Sequence, residues 1–232
     1  MEGKRKGGKL IIGKIFSESS RYTLRLTHVL LSRITKLFKY KGLYVYIPEG
    51  VFNPTFTLST SLIIDYLNEF KPKGKVLEIG CGTGAISIYI AKKFGLKSYC
   101  TDISEVALAT AKINSKINGV EKNIEVLKTE KLRYVASFDL VITNPPYLPL
   151  EPIDSLDLNW CGGRDLNLLK EAILLGRKAL RKKGEMIITL SSLTDLTLLD
   201  DFLKKQGFFM VGIKRRVSPF DLVFLYHLKL QI

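Results

Sequence analysis

An apolar segment, Phe138 to Thr143, runs directly into Asn144, Pro145, Pro146 and Tyr147. The two prolines remove two backbone donors and fix φ, and the first restricts Asn144 to an extended conformation, so the turn is rigid. In such a turn the Asn144 oxygen and nearby carbonyls can accept hydrogen bonds from a planar NH2 group, while the Tyr147 ring stacks on its face. The pattern predicts a site for an amide or an exocyclic base amine; the alternative is an ordinary strand-ending turn.

A second candidate site is the run Glu-Ile-Gly-Cys-Gly-Thr-Gly-Ala at residues 78–85, which joins a predicted strand to a helix. Glycines at such a junction let the backbone approach a ligand, so a nucleoside-like cofactor is expected. The run also fits the G-x-G-x-x-A pattern of nicotinamide-binding proteins, and Asp102 stands where a ribose-binding acid would lie. Three features favour S-adenosylmethionine instead: Glu78 ahead of the glycines, the third glycine Gly84, and the Asn-Pro-Pro-Tyr turn.

Together these motifs resemble the class I S-adenosylmethionine-dependent methyltransferases that modify planar amino or amide nitrogens. The resemblance implies that the glycine loop holds the methionine part of the cofactor, that Asp102 binds both ribose hydroxyls, and that Ile103 flanks the adenine. The family often carries an acid after the third strand to contact the adenine amine, and Glu130 is the acid available here. The expected cofactor residues are Glu78, Gly80, Cys81, Gly82, Gly84, Asp102, Ile103, Glu130 and Asn144, and the expected catalytic residues are Asn144, Pro145, Pro146 and Tyr147.

A third motif, Trp-Cys-Gly-Gly-Arg-Asp at residues 160–165, resembles the Trp-x-Gly-Gly-Arg-(Asp/Asn)-Gly stretch of HemK-like enzymes. The resemblance covers about residues 43–230 and is greatest to the short archaeal and eukaryotic enzymes that methylate the glutamine of the Gly-Gly-Gln motif in class I release factors. It implies a release factor as substrate and a small activating subunit as a further partner. The alternative is a glycine turn that opens a helix at Leu166, with Trp160 as a core anchor.

RNA remains open as the substrate. HemK-like enzymes usually carry Pro-x-Glu-Asp-(Ser/Thr) where this chain has Thr-Leu-Ser-Thr at residues 57–60, and residues 49–53 resemble the Gly-Val-Phe-Ser segment of ribosomal RNA guanine N2-methyltransferases. Guanine N2 or adenine N6 in ribosomal or transfer RNA is therefore an alternative target. A nucleic-acid-binding protein that has kept only the fold is a further alternative, against which the intact cofactor loop argues.

The predicted reaction asks little of the side chains. An amide or aniline-like nitrogen is a poor nucleophile because its lone pair is delocalised, so acceptors that hold its N–H groups can turn the lone pair toward the methyl carbon. Positioning for in-line attack on the sulfonium then supplies most of the rate. Neither a metal nor a covalent intermediate is required.

Composition indicates one main globular domain, since the chain has 232 residues of which 46% are hydrophobic. No apolar run approaches the ~18 residues of a membrane span and no secretory signal is recognisable, so we expect a cytoplasmic protein. The cysteines Cys81, Cys100 and Cys161 form an odd set without a CxxC pair, which predicts three free thiols.

Charge is concentrated near the N-terminus. The chain carries a net +14, and residues 1–50 hold eleven lysines and arginines against three glutamates, or +8. This indicates an anionic partner such as RNA or a ribonucleoprotein surface, with a solvated lysine-rich surface as the alternative. Residues 1–40 are read as a basic extension containing an amphipathic helix at 20–38, its apolar stripe formed by Leu26, Leu30, Ile34 and Leu37. Residues 41–232 form the predicted methyltransferase domain.

From residue 75 onward, strands and helices alternate, with glycine turns between them. This alternation predicts an α/β fold with a doubly wound, Rossmann-like, seven-stranded and mostly parallel sheet, closed by an antiparallel C-terminal edge hairpin. The irregular segment 48–61 is expected to lie over the active site. The predicted helices are 61–70, 85–94, 104–118, 166–181 and 195–206, and the predicted strands are 43–47, 75–79, 98–101, 124–127, 138–143, 185–190, 208–214 and 222–230.

Overall fold

The computed structural model of the protein describes residues 15–30, 36–134, 137–219 and 221–231. Its α-helices are α1 (residues 15–30), α2 (Leu58–Phe70), α3 (Ala85–Phe94), α4 (Glu105–Ile117), α5 (Asn167–Ala179) and α6 (Leu196–Lys205). Its strands are β1 (Leu37–Tyr40), β2 (Leu43–Tyr46), β3 (Val76–Ile79), β4 (Ser98–Asp102), β5 (Ile124–Lys128), β6 (Phe138–Thr143), β7 (Leu180–Ser191), β8 (Phe208–Val217) and β9 (Leu222–Leu230). Short 3-10 helices cover Glu121–Asn123, Thr129–Tyr134 and Asp157–Asn159.

The main sheet has seven strands in the order β5-β4-β3-β6-β7-β9-β8. The strands from β5 to β7 are parallel, and β9 runs antiparallel to both β7 and β8. This confirms the predicted Rossmann-like fold and its C-terminal hairpin, in which the second strand inserts beside β7 and leaves β8 at the edge. The strand order reverses between β3 and β6, and ligands of such sheets bind beyond the carboxyl ends of the strands at that point.

The central strands β3 and β6 are covered on both faces, which explains their continuous apolar sequences. On one face Leu77 and Val141 pack with Leu169 and Ile173 of α5. On the other face Val76, Leu140 and Ile142 belong to a cluster that includes apolar side chains of α2 and α3. The carboxyl ends of these two strands are therefore held by two separate layers of core.

Several predicted elements differ from the structure at their ends. Helix α2 begins at Leu58 rather than at residue 61, so its first turn is Leu-Ser-Thr-Ser, a composition more typical of a loop. Strand β7 begins at Leu180 rather than at residue 185, because Leu180 pairs with Phe138 before a bulge. Ser104 caps α4 as predicted, its hydroxyl accepting from the Ala107 N–H at 3.3 Å.

The predicted helix over residues 20–38 is wrong at its C-terminal end. Leu37–Tyr40 form a strand that pairs antiparallel with Leu43–Tyr46. Lys41 and Gly42 connect them with φ values of 48° and 79°, the backbone of a two-residue hairpin turn. The predicted boundary between residues 40 and 41 falls at this turn.

The predicted apolar face of α1 is also wrong. Leu26 and Leu30 are 62% and 50% exposed, and Ile34 lies outside the described residues. The inward face instead carries Arg21 and His28, which are buried. The reason lies in a tertiary contact, because α1 packs on an acidic segment of the chain, as described below.

Cys81, Cys100 and Cys161 are buried free thiols, as expected. His28 meets Trp160 edge to face with ring centroids 6.1 Å apart, and His227 hydrogen-bonds to Tyr66 at 2.7 Å. Both histidines therefore have structural partners. Within the described ranges, no helix combines the length and apolar character needed to cross a bilayer, and no group of three or more His, Cys, Asp or Glu residues could hold a metal ion.

Candidate active site

A cavity of about 510 Å³ lies at the carboxyl ends of β3, β4 and β6. The glycine loop, Asp102 and Asn144 all line it, so the structure brings the two predicted motifs into one site. The segment 48–61 also contributes lining residues, among them Phe52 and Thr60, which confirms its predicted place over the site.

The three glycines of the loop have different roles. Gly80 and Gly82 have φ values of 71° and 52° and line the cavity. Among the described atoms, none lies within 4 Å of an ideal Cβ on Gly80, so the loop backbone is open to a ligand at this point. Gly84 also has a positive φ, but a Cβ there would lie 3.0 Å from the Ala111 Cβ, so this glycine serves the packing of α3 on α4. Gly84 is not among the described residues that line the cavity.

Glu78, at the base of the loop, is a buried carboxyl group. Its Oε2 accepts from the Ser87 backbone N–H at 2.9 Å and from the Ser87 hydroxyl at 2.6 Å. Burial raises the pKa of Glu78 to about 7, although the Ser87 donors act in the opposite direction. Cys81 follows on the same loop and packs against Cys100; this neighbour and burial raise the pKa of the Cys81 thiol.

Asp102 is the last residue of β4, and its carboxylate accepts hydrogen bonds from the glycine loop and from the start of the segment that follows β4. Its Oδ2 accepts from the Gly82 N–H and its Oδ1 from the Ser104 N–H, each at 2.9 Å. A carboxylate has about four acceptor positions, so two remain for ligand hydroxyls. Ile103 is 75% exposed and lines the cavity beside Asp102, an apolar surface suited to the face of an aromatic base. These residues fit the ribose and adenine of S-adenosylmethionine.

Glu130 is exposed, and of the described residues in this stretch it is Thr129 that lines the cavity. The difference arises because β5 runs one residue further than predicted, to Lys128, and a 3-10 helix starts at Thr129. A contact between Glu130 and the cofactor therefore stays a prediction, and Thr129 is the neighbour that sequence reasoning missed.

Asn144 follows β6 and is held from two sides. Its Oδ1 accepts from the Thr189 hydroxyl of β7 at 2.5 Å, and its Nδ2 donates to the Thr60 hydroxyl of α2 at 3.3 Å. Pro145 and Pro146 line the cavity next to it. Sequence reasoning missed both threonines, because single threonines in a strand and in a helix start give no local signal.

Tyr147 lies differently from Asn144. It is half-buried and is not among the described residues that line the cavity, and its carbonyl accepts from the Thr194 hydroxyl at 3.4 Å. Burial, together with the carboxylate of Asp221, raises the pKa of its phenol. Stacking of this ring on a substrate stays a prediction.

The Trp-Cys-Gly-Gly-Arg-Asp motif lies against the Asn-Pro-Pro-Tyr turn. The Gly162 N–H donates to the Leu148 carbonyl at 2.9 Å, and a Cβ at Gly162 would lie 2.4 Å from the Pro146 carbonyl oxygen. Trp160 and Cys161 are buried in a cluster with Leu148. The motif therefore supports the Asn-Pro-Pro-Tyr turn by direct contact, which requires glycine at 162.

Helix α1 holds the segment that precedes this motif. Arg25 donates to Asp154 at 2.9 and 2.7 Å and to Asp157 at 2.5 Å. The Asp157 side chain is fully buried and also accepts from the Ile153 N–H at 3.0 Å. Two residues of the same segment, Leu158 and Asn159, line the cavity, so α1 fixes one wall of the site.

Comparison with known proteins places these features in a family. Residues 43–207 match the family model described as "Methyltransferase small domain". A protein of Methanocaldococcus jannaschii, provisionally named a protein N5-glutamine methyltransferase, is 39% identical over 69% of this chain and 83% of its own length. The release factor glutamine methyltransferase of Borreliella burgdorferi is 30% identical over 71% of this chain, which spans 59% of that protein.

The fold also matches solved structures. The ribosomal protein L11 methylase of Lactobacillus delbrueckii subsp. bulgaricus superposes with a TM-score of 0.60 at 18% identity, over 85% of this chain and all of that one. The family match and the archaeal relative agree with the geometry of the cavity, in which the glycine loop and Asp102 lie beside Asn144. The chain therefore belongs to the methyltransferase small domain family and is an S-adenosylmethionine-dependent N-methyltransferase.

Proposed function

We propose that this enzyme methylates the side-chain amide nitrogen of the glutamine in the Gly-Gly-Gln motif of a class I release factor, in the cytoplasm. The names of the two relatives described above support this substrate. The observation that carries the proposal is that the Asn144 carboxamide lines the same cavity as the cofactor loop and Asp102. A primary carboxamide can therefore be held next to the methyl donor.

The residues of this chain would act by binding and orientation. When bound, S-adenosylmethionine supplies an electrophilic methyl group on a sulfonium. The Asn144 oxygen, with the Pro145 carbonyl, accepts the N–H groups of the target amide and turns its nitrogen lone pair toward that methyl group. Such preorganised acceptors stabilise the positive charge that develops on the nitrogen during transfer. The surplus proton leaves to solvent after the C–N bond has formed.

RNA is the second candidate substrate, and the basic N-terminal part of the chain favours it. Two of its arginines, Arg21 and Arg25, form ion pairs with Glu18, Asp154 and Asp157, so they neutralise this chain's own carboxylates. This weakens the argument from charge. Two further points are part of the proposal. The chain is divided into a basic extension, 1–40, and a methyltransferase domain, 41–232, and the enzyme needs a small activating subunit.

The decisive experiment supplies cofactor labelled on its methyl group to the enzyme with separate acceptors: a class I release factor, ribosomal RNA, transfer RNA and DNA. We expect label on the release factor, and none on a variant whose Gly-Gly-Gln glutamine is replaced by alanine. Label that enters RNA and survives protein digestion would instead establish the RNA alternative. If no acceptor is labelled, the assay is repeated with a cell extract depleted of nucleic acid, and continued absence of protein label contradicts the proposal.

A further inference from the structure

Two threonine hydroxyls contact the carboxamide of Asn144 from opposite sides. Thr189 lies in β7 and Thr60 in the first turn of α2, and both side chains are buried. We propose that Thr189 and Thr60 are positioning residues that fix the rotation of the Asn144 carboxamide so that its free acceptor faces the target nitrogen. This inference rests on the proposed function of Asn144.

The distances determine which way the carboxamide points. The 2.5 Å contact to Thr189 matches an O–H···O hydrogen bond and is shorter than the range of N–H···O bonds, so the amide oxygen faces Thr189. An amide oxygen can only accept, and the Thr189 hydroxyl is therefore the donor. The 3.3 Å contact on the other side places the NH2 group next to the Thr60 hydroxyl, which accepts. A flipped amide would place its nitrogen 2.5 Å from the Thr189 hydroxyl oxygen, which is too short for an N–H···O hydrogen bond.

The fold produces this arrangement from separate parts of the sequence. Strands β6 and β7 are parallel neighbours in which Thr143 pairs with Ile188, so the next residues of each strand, Asn144 and Thr189, also lie side by side. Helix α2 reaches the same point from the other side of the sheet's end and supplies Thr60.

The two contacts leave a defined pattern of free hydrogen-bonding positions. A carboxamide has two acceptor positions on oxygen and two N–H donors. Thr189 takes one acceptor position and Thr60 takes one donor, which leaves one acceptor and one N–H. The free acceptor suits an N–H of the target nitrogen, and the remaining N–H is available to an acceptor of the target.

Removing the Thr189 hydroxyl would free the carboxamide to rotate or flip. A flipped carboxamide presents its NH2 group to the NH2 of the target, which repels it and removes the acceptor needed for catalysis. We expect Thr189→Val to lower kcat about tenfold to hundredfold, the size of losing one buried polar partner, while cofactor Kd is unchanged. Thr189→Ser, which keeps the hydroxyl, should restore most of the rate, and Thr60→Val should give a smaller loss because its contact is longer.

A matched control is Thr110→Val. Thr110 is equally buried, but its hydroxyl donates to the Val106 carbonyl within α4 at 2.7 Å and lies outside the cavity lining. The Thr110→Val substitution should lower thermal stability without changing kcat. A fall in kcat for Thr110→Val equal to that of Thr189→Val would show that loss of any buried hydroxyl suffices, and would overturn the inference.

A double-mutant cycle provides the sharpest test. Asn144→Asp places acceptor oxygens on both sides of the group, so its function no longer depends on which way it points. We therefore expect Thr189→Val to cost at least several-fold less in the Asn144→Asp background than in the native one. Equal losses in both backgrounds, or native kcat for Thr189→Val while Asn144→Ala is inactive, would overturn the positioning role and leave the proposed function standing. Full activity of Asn144→Ala would instead overturn the proposed function.

If Thr189→Val does not fold, Thr60→Val is carried through the same cycle, and equal losses there overturn the inference.

Discussion

Gly162 lies against the carbonyl of Pro146, so close that a Cβ at Gly162 would be 2.4 Å from the Pro146 oxygen. A Cβ atom cannot lie that close to an atom to which it is not bonded. The obstructing atom belongs to the backbone, so it cannot move aside as the end of a flexible side chain could. The first glycine of the Trp-Cys-Gly-Gly-Arg-Asp motif is thus required by the position of the Asn-Pro-Pro-Tyr turn.

Gly162→Ala is therefore expected to displace the Asn-Pro-Pro-Tyr turn and to lower kcat by roughly tenfold or more, since misplacing a reacting group by about 1 Å can cost 10²-fold. Gly95→Ala is the control. Gly95 ends α3 with a φ of 67°, and no described atom lies within 4 Å of its ideal Cβ. It should lose about 1 kcal/mol of stability and keep its kcat. A Gly162→Ala enzyme with native kcat would show that the motif does not support the turn.

Asp102→Ala should weaken binding of S-adenosylmethionine by about 2 kcal/mol or more, because charge-assisted hydrogen bonds to the ribose are lost. The carboxylate also accepts from the Gly82 and Ser104 N–H groups, so the loop loses a restraint as well. Titration calorimetry measures the change, with Glu105→Ala as a control, since that exposed side chain pairs with Lys128. Unchanged affinity of Asp102→Ala would refute its assignment to the cofactor.

Glu78 should make stability depend on pH. Its pKa is raised by burial from 4.5 to about 7 in the folded protein, so folding favours its protonated form. The contribution of Glu78 to the free energy of unfolding is fully present below pH 4.5. It is lost as the pH rises to about 7, by roughly 3 kcal/mol in total. Glu78→Gln does not titrate, so its unfolding free energy relative to the native protein should rise between pH 4.5 and 7. Parallel stability curves for the two proteins in urea at pH 4.5 and 8 would contradict this prediction.

Arg25 is expected to stabilise the segment that forms one wall of the cavity. Arg25→Met leaves the buried Asp157 without its shortest ion pair, so the melting temperature should fall by a few degrees and KM for the protein substrate should rise. Arg25 also lowers the pKa of Asp154 to about 2. The part of the stabilisation that comes from the Arg25–Asp154 pair is therefore present above pH 4 and is lost as pH falls toward 2, so the gap between native and variant proteins should narrow there. Lys128→Met, which removes an exposed ion pair with Glu105, should behave as the native protein; an equal effect would deny Arg25 any special role.

The sequence was sufficient to predict the strands and helices that surround the site, although not the starts of α2 and β7. The segments Ala85–Phe94 and Phe138–Thr143 were predicted to the residue, because an apolar run next to glycine or proline marks both its type and its ends. The hairpin strand Leu37–Tyr40 was missed, since four residues carry little periodicity and only the Lys-Gly turn distinguishes them from a continuing helix.

What could not be predicted depends on contacts between distant parts of the chain. The inward face of α1 is set by Asp154 and Asp157, more than a hundred residues away, so a hydrophobic stripe was the wrong criterion. In the same way, Thr60 and Thr189 become relevant only because β7 and α2 meet at Asn144. Glycine and proline motifs identify a site from local sequence, while the residues that orient its side chains emerge from the tertiary structure.

The most direct test of the account is single-turnover methylation by Asn144→Ala with a class I release factor as acceptor. If Asn144 accepts from the target amide, cofactor affinity should be nearly unchanged while the methylation rate falls by about two to three orders of magnitude, the size of losing one preorganised contact in a transition state. Asn144→Asp should retain part of the rate, because it still accepts. A native rate for Asn144→Ala would contradict the central claim that this carboxamide orients the target nitrogen.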